Sequence, residues 1–234
     1  SPTALARQIA CATPCTVSGR RSKLVNVSIN GATETFEIER KYEVSGDAVL
    51  PEAASFAALG LRLGAPETQE LRASYFDTPS GELASRRLAL RNRHGGKDAG
   101  WHLKAKGDDG ARELLWPQAP ELPAGLRAEV EDRLGSGALD RLGAIATLRT
   151  TRVTLMLFSE GGDAVIEIAD DRVDGTNELT GSRQQWREWE AELMPGADEA
   201  LLDAIEPLLV AAGAVRARGT SKIQRTMQGG GGAA

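Results

Sequence analysis

One pattern recurs along this chain: charged residues at alternate positions of segments whose remaining positions are mostly apolar. In ETFEIERKYEV (34–44), Glu37, Glu39, Lys41 and Glu43 alternate with Phe36, Ile38, Tyr42 and Val44. A period of two puts successive side chains on opposite faces of a β-strand. The alternation returns with Arg87, Ala89, Arg91 and Arg93 against Leu88 and Leu90, then with His102, Lys104 and Lys106 against Trp101, Leu103 and Ala105. It continues with Arg152 and Thr154 against Val153, Leu155 and Leu157, and with Glu167 and Asp171 against Ile166 and Ile168. Glu188, Glu190 and Glu192 against Trp189, Ala191 and Leu193 complete the series. A single strand of this kind is an ordinary sheet with one wet face. A series this rich in full charges, basic in the middle and acidic at both ends, predicts a barrel with a charged lining and helices outside. Closure also removes exposed strand edges.

A confined cluster of cations calls for an anion with several charges close together. Arg91, Arg93, Lys104, Lys106 and Arg152 suit phosphate groups. Carboxylates such as Glu37, Glu39, Glu188 and Glu190 would repel that ligand unless a cation lay between them. Hard divalent ions, Mg²⁺ or Mn²⁺, prefer oxygen ligands shared between carboxylates and phosphates. The lining therefore predicts a metal–polyphosphate ligand.

Other chemistries lack their residues. The net charge of −5 and pI near 5.3 argue against general nucleic-acid binding. No apolar run reaches a bilayer span and the first residues lack a signal-peptide core, so a cytoplasmic protein is expected. Cys11 and Cys15, with His94 and His102, are a poor zinc set, and no phosphate-binding glycine loop is present.

Residues 1–33 are expected to be a disordered tail, and 228–234, QGGGGAA, a flexible one, leaving one domain over 34–227. Helices are expected over 47–64, loosely over 124–146, and over 198–212, where Asp198 would cap and Pro207 would kink or divide. Trp101, Trp189 and Tyr75 are expected to pack outward.

Glu37-Ile38-Glu39-Arg40-Lys41 resembles the E-x-E-x-K signature of the CYTH superfamily, the triphosphate tunnel metalloenzymes. The resemblance continues through YFDTPSGEL (75–83), LALRNR (88–93), WHLKAKG (101–107), RELLWP (112–117), EIADD (167–171), WREWEAEL (186–193) and SKIQR (221–225). It implies an α+β fold, an eight-stranded antiparallel β-barrel flanked by helices. It implies metal-dependent cleavage of a triphosphate-containing small molecule, inorganic triphosphate foremost, with adenylate cyclase or non-catalytic binding as alternatives. By the same resemblance, Glu37, Glu39, Asp171, Glu188 and Glu190 are metal ligands, and Glu37, Glu39 and Lys41 are catalytic. Lys41, Arg91, Arg93, Lys104, Lys106, Arg112, Arg152 and Lys222 are substrate-binding, Lys106 at the tunnel mouth. Glu192 shares the inward parity as a rim residue, and Arg149 is left out because it cannot share a face with Arg152. A CHAD-type domain or partner is implied for such proteins, with none expected within these 234 residues, as is a monomer or homodimer.

Overall fold

The computed structural model describes residues 28–217 and 219–228. The expectations for residues 1–27, with Cys11 and Cys15, and for 229–234 lie outside them. In chain order the elements are β1 (Ser28–Ile29), β2 (Ala32–Glu37), β3 (Glu39–Glu43), α1 (Ala53–Ala57), β4 (Arg62–Leu63), β5 (Glu67–Asp77), α2 (Glu82–Ser85), β6 (Leu88–His94) and β7 (Gly100–Lys106). There follow β8 (Ala111–Pro117), α3 (Ala124–Leu134), β9 (Gly143–Phe158), β10 (Ala164–Asn177), β11 (Arg183–Leu193), α4 (Ala200–Ala211), β12 (Val215–Arg216) and α5 (Lys222–Gln228).

All described strands belong to one antiparallel sheet, in the order β1-β2-β8-β7-β6-β5-β9-β10-β11-β3-β12, with β4 on β9. The path leaves from β2 and returns to β3, and these are two halves of one run of chain. β2 bonds to β8 as far as Glu37↔Ala111, and β3 bonds to β11 from Glu39↔Glu192. Between them the Ile38 carbonyl accepts from the Leu193 amide at 2.9 Å. Counting β2–β3 as one interrupted strand gives eight principal strands curled back on themselves, with β1, β4 and β12 as short additions. The acidic segments from the two ends of the sequence thereby become neighbours.

Alternation divides the side chains as the charge pattern predicts. Outside, Tyr42, Ile166, Ile168, Trp189 and Leu193 pack against Leu202, Ile205 and Leu209 of α4 and Phe56 of α1. Burying each α4 side chain contributes about 1.5–3 kcal/mol. On the other flank Leu90, Trp101, Leu103, Leu114 and Trp116 pack against Leu83 of α2 and Leu126 and Val130 of α3. A third cluster lies inside: Ala73, Tyr75, Ile145, Leu148 and Val173, covered by Ile223 and Met227 of α5. The YFDTPSGEL turn is fixed by Asp77, whose carboxylate accepts from the amides of Thr78, Leu83 and Ala84 at 2.7, 2.8 and 3.0 Å.

Several expectations need correction. The ordered chain begins before residue 34: Asn30 and Gly31, at φ 50° and 80°, make the left-handed turn of a hairpin that pairs Ser28 with Thr33. The 47–64 helix shrinks to α1, because Pro51 and the left-handed Gly60 (φ 73°) bound it and residues 62–63 join the sheet. Only 124–134 of the loose 124–146 segment is α-helical, and β9 starts at Gly143. Pro207 neither ends nor divides α4, which runs from Ala200 to Ala211 across it. Its packing holds the turn that the missing N–H weakens. Asp198 lies one residue ahead of the N-cap, Glu199, and accepts from the Ala200 amide at 2.9 Å. Tyr75 points inward, whereas Trp101 and Trp189 pack outward as expected. Among the described residues no helix is long and apolar enough to cross a membrane.

Candidate active site

The barrel encloses a cavity of about 1230 Å³, lined by charged residues from its strands and from α5. Its acidic seam lies where β3, β11, β10 and β9 run side by side. The register puts Lys41 beside Glu190, Glu188 beside Asp171, and Asp171 beside Arg152. Asp171, fully buried, takes both Arg152 Nε and Nη2, at 2.7 and 2.6 Å. Glu190 accepts from Lys41, from Arg152 at 2.7 Å and from Lys222 at 2.6 Å. Lys222 reaches in from the first turn of α5, meeting Glu188 at 2.5 Å and Asp171 at 2.8 Å as well. Oxygens of Asp171, Glu188 and Glu190 lie within 4.8 Å of one another.

The ionisation states follow from these neighbours. Burial opposes charge on Glu190, but Lys222, Lys41 and Arg152 overcome it and hold its pKa well below the usual carboxylate range. Asp171 is lowered against burial by Lys222 and Arg152, and Glu39 against burial by Lys41 and Lys104. Glu37 and Glu192 behave oppositely. Glu37 is pushed up to about 7 by burial and by Glu113, despite Lys104 Nζ at 2.5 Å. Glu192, facing Glu39 in register, is pushed up to about 8 by burial and by Glu37 and Glu39. This corner has more carboxylate than its cations neutralise.

The opposite wall is basic. Arg91 and Arg93 face inward on β6, beside β7, whose Lys104 is directly opposite Glu113 on β8. Arg91 donates to Tyr75 Oη at 3.3 Å and to Glu113 at 3.2 Å, and Arg93 to the Asp98 carboxylate at 3.1 Å. The Nε atoms of both arginines are buried without a hydrogen-bond partner among the described residues. Burial and the neighbouring Arg91 lower the Arg93 pKa, whereas Tyr75 and Glu113 raise that of Arg91 against burial, so the strain rests on Arg93.

Of the residues expected at the site, Glu37, Glu39, Lys41, Arg91, Arg93, Lys104, Arg152, Asp171, Glu188, Glu190 and Lys222 converge on this interior. Lys106 is exposed at the mouth, bonded to the Gly219 carbonyl at 2.5 Å. Arg112 does not join them. Strand parity gives the inward place to Glu113, and Arg112 lies outside, its side chain 67% exposed and 2.9 Å from Glu34. Glu113 and Tyr75 were missed. Glu113 alternates with Arg112 and Leu114, a signal that the apolar residues beside it concealed.

The CYTH domain family matches residues 35–227. Two uncharacterized proteins of Mycobacterium tuberculosis, from strains CDC 1551 and H37Rv, are each 37% identical over 206 residues, 82% of this chain. The chain spans about 40% of the length of these curated relatives. Among solved structures, a candidate adenylate cyclase from Bacillus halodurans is 20% identical with a TM-score of 0.51, covering 82% of this chain and 97% of its own. A candidate adenylyl cyclase from Hippeastrum, described as having a dominant triphosphatase activity, is 21% identical with a TM-score of 0.53, covering 82% and 96%. These likenesses carry the fold, and the family match carries the membership: this chain belongs to the CYTH domain family.

Proposed function

We propose that the protein hydrolyses a triphosphate inside this barrel, with inorganic triphosphate as the leading substrate and diphosphate and phosphate as products. The observation that carries the reading is a cavity in which Arg91, Arg93 and Lys104 stand across from carboxylates, Arg91 and Arg93 each keeping a buried Nε–H without a partner among the described residues. Arg91, Arg93, Lys104, Arg152 and Lys41 would bind and align the phosphate oxygens, since charge-assisted bonds in a confined site are strong and directional. The oxygen-only donor set of Asp171, Glu188 and Glu190, with Glu37 and Glu39 beside a carboxyl-rich corner, fits a hard divalent ion such as Mg²⁺ or Mn²⁺. When bound, such an ion neutralises charge on phosphate oxygens and acidifies water. The barrel wall excludes bulk solvent, which strengthens each of these contacts.

A second reading has its own support. The cavity exceeds what three phosphates fill, and Leu71, Ile145, Leu148 and Ile223 also line it, so the triphosphate could be that of an organic molecule. A nucleoside triphosphate could then be hydrolysed or cyclised with loss of diphosphate. The test is a panel of inorganic triphosphate and ATP with Mg²⁺ and with Mn²⁺, reading phosphate and diphosphate separately. Phosphate from inorganic triphosphate, abolished by Glu39→Gln, is the expected result. Diphosphate and a cyclic nucleotide from ATP would favour the cyclase, and binding without product would leave only a polyphosphate-binding module.

A further inference from the structure

The three carboxylates of the acidic seam are held alike. Each has an oxygen tied to a donor of the barrel and another turned toward Lys222. Arg152 Nε holds Asp171 Oδ1 at 2.7 Å, and Arg152 Nη2 holds Glu190 Oε2 at 2.7 Å. Glu188 Oε2 accepts from the indole N–H of Trp186 at 2.6 Å. Asp171 Oδ2, Glu188 Oε1 and Glu190 Oε1 then stand 2.8, 2.5 and 2.6 Å from the Lys222 ammonium. One cation thus marks the point on which the three carboxylates converge. The lysine stem is flexible and can leave that point to an ion.

Trp186 differs from the other framework donors in being neutral. Arg152, which also shares Asp171 Oδ2 at 2.6 Å, subtracts from the negative charge that Asp171 and Glu190 offer a cation, and Lys41 subtracts further at Glu190. An indole N–H fixes a carboxylate oxygen through a charge-assisted bond and leaves the charge in place. The ring is itself fixed. Trp186 lies opposite Val173 of β10, two residues before Glu188 on β11, so the two side chains share the inner face. Gly175 leaves it room: a Cβ there would come 3.2 Å from the Trp186 ring and 2.6 Å from Thr226 Oγ1 of α5. The Arg225 guanidinium, also from α5, lies over the ring at 4.9 Å.

We propose that Trp186 is a positioning residue for the candidate cation site: its indole N–H holds Glu188 Oε2 so that Oε1 faces the ion beside Asp171 and Glu190. The inference rests on the metal-dependent triphosphate reading above, and the ion is a hard divalent one, Mg²⁺ or Mn²⁺. The last torsion of a glutamate is broad, so a carboxylate without this bond would sample several orientations. Ordering it would then oppose ion binding, whereas a ligand oriented in advance binds without that loss. Glu188 in this way offers an aimed oxygen at full negative charge.

Mn²⁺ binding to the full chain, without substrate, tests the assignment. Trp186→Phe keeps a ring beneath Arg225 and removes the N–H, and its affinity for Mn²⁺ should be about tenfold weaker. The chain has four tryptophans, so its indole N–H spectrum is simple. Trp101 and Trp116 donate to backbone carbonyls at 2.9 Å, and Trp189 Nε1 has no partner among the described residues. The signal lost in Trp186→Phe should therefore lie furthest downfield in the wild type, and Mn²⁺ should broaden it before the other three. Should the variant fail to fold, that broadening decides alone. A Trp186 signal that stays sharp at saturating Mn²⁺ would overturn the proposal. Equal Mn²⁺ affinity in the two proteins would overturn it too, and would leave the triphosphatase reading standing. Absence of Mn²⁺ binding in the wild type would sink both.

Discussion

The acidic seam and the arginine wall face each other across one cavity, yet they solve the burial of charge in different ways. Along β3, β11 and β10, Asp171, Glu188 and Glu190 are each bonded to a cation, and Lys222 joins all three. On β6, the Nε atoms of Arg91 and Arg93 have no hydrogen-bond partner among the described residues. Among the described residues the three carboxylates of the seam are all paired, whereas the wall keeps two arginine Nε–H groups without acceptors. The structure interleaves carboxylates among the cations of the lining, so the unpaired donors are confined to a few atoms.

The sharpest way to break this contrast is at the seam. Glu190→Leu leaves Lys41, Arg152 and Lys222 buried with too few acceptors. Such an uncompensated site costs about 3–5 kcal/mol. Urea unfolding should record that loss, and a change below about 1 kcal/mol would show that solvent already reaches the seam.

At the wall the signs reverse. Arg93→Ala removes a buried cation whose one ion-pair partner among the described residues is a largely exposed aspartate, so the free protein should keep or gain stability. Ligand is where the loss should appear. Triphosphate with Mg²⁺ at 100 times its dissociation constant should stabilise wild-type protein by about 2.7 kcal/mol, and the variant should forfeit most of that at the same concentration. Thermal melts of both proteins with and without ligand make the comparison, with Arg112→Ala, on the outer face, as a control that should keep the full shift. An unaltered shift in Arg93→Ala would place the anion elsewhere.

A gentler probe is pH, at the carboxyl-rich corner between seam and wall. Burial and neighbouring carboxylates raise Glu37 to about 7 and Glu192 to about 8, above the 4.5 of an unburied glutamate. The folded protein therefore holds protons that the unfolded chain has released. Stability should fall as pH rises from 6.5 to 8, by about 1 kcal/mol per pH unit. Glu192→Gln should flatten the slope, and so should saturating Mg²⁺ if the ion replaces those protons. A slope of opposite sign would mean that both carboxyls are ionised in the folded state.

Much of this site could be read from alternation, because inward parity needs only the strand itself. Glu37, Glu39, Lys41, Arg91, Arg93, Lys104 and Arg152 were legible in that way. What parity cannot supply is register between distant strands. Glu192 had the right face, but its closeness to Glu39 depends on β11 pairing with β3. Lys222 sits on a helix and has no strand pattern, so only the family resemblance singled it out. The same resemblance misplaced Arg112 by one residue, which on a strand means the opposite face. Over 47–64, apolar spacing suggested a helix where Pro51 and Gly60 allow only five residues.

The interrupted strand that closes the barrel also sets an order of events in folding. Its first half pairs with β8, while its second half pairs with β11, from Glu39↔Glu192 to Glu188↔Glu43, about 150 residues further along the chain. During synthesis, residues 39–43 emerge early and wait with both edges open until β11 and β12 have been made. The charges at Glu39, Arg40, Lys41 and Glu43 disfavour pairing of those waiting edges with another chain. Residues that line the finished cavity thus also guard the unfinished chain, and ring closure must await the kind of long-range pairing that forms slowly.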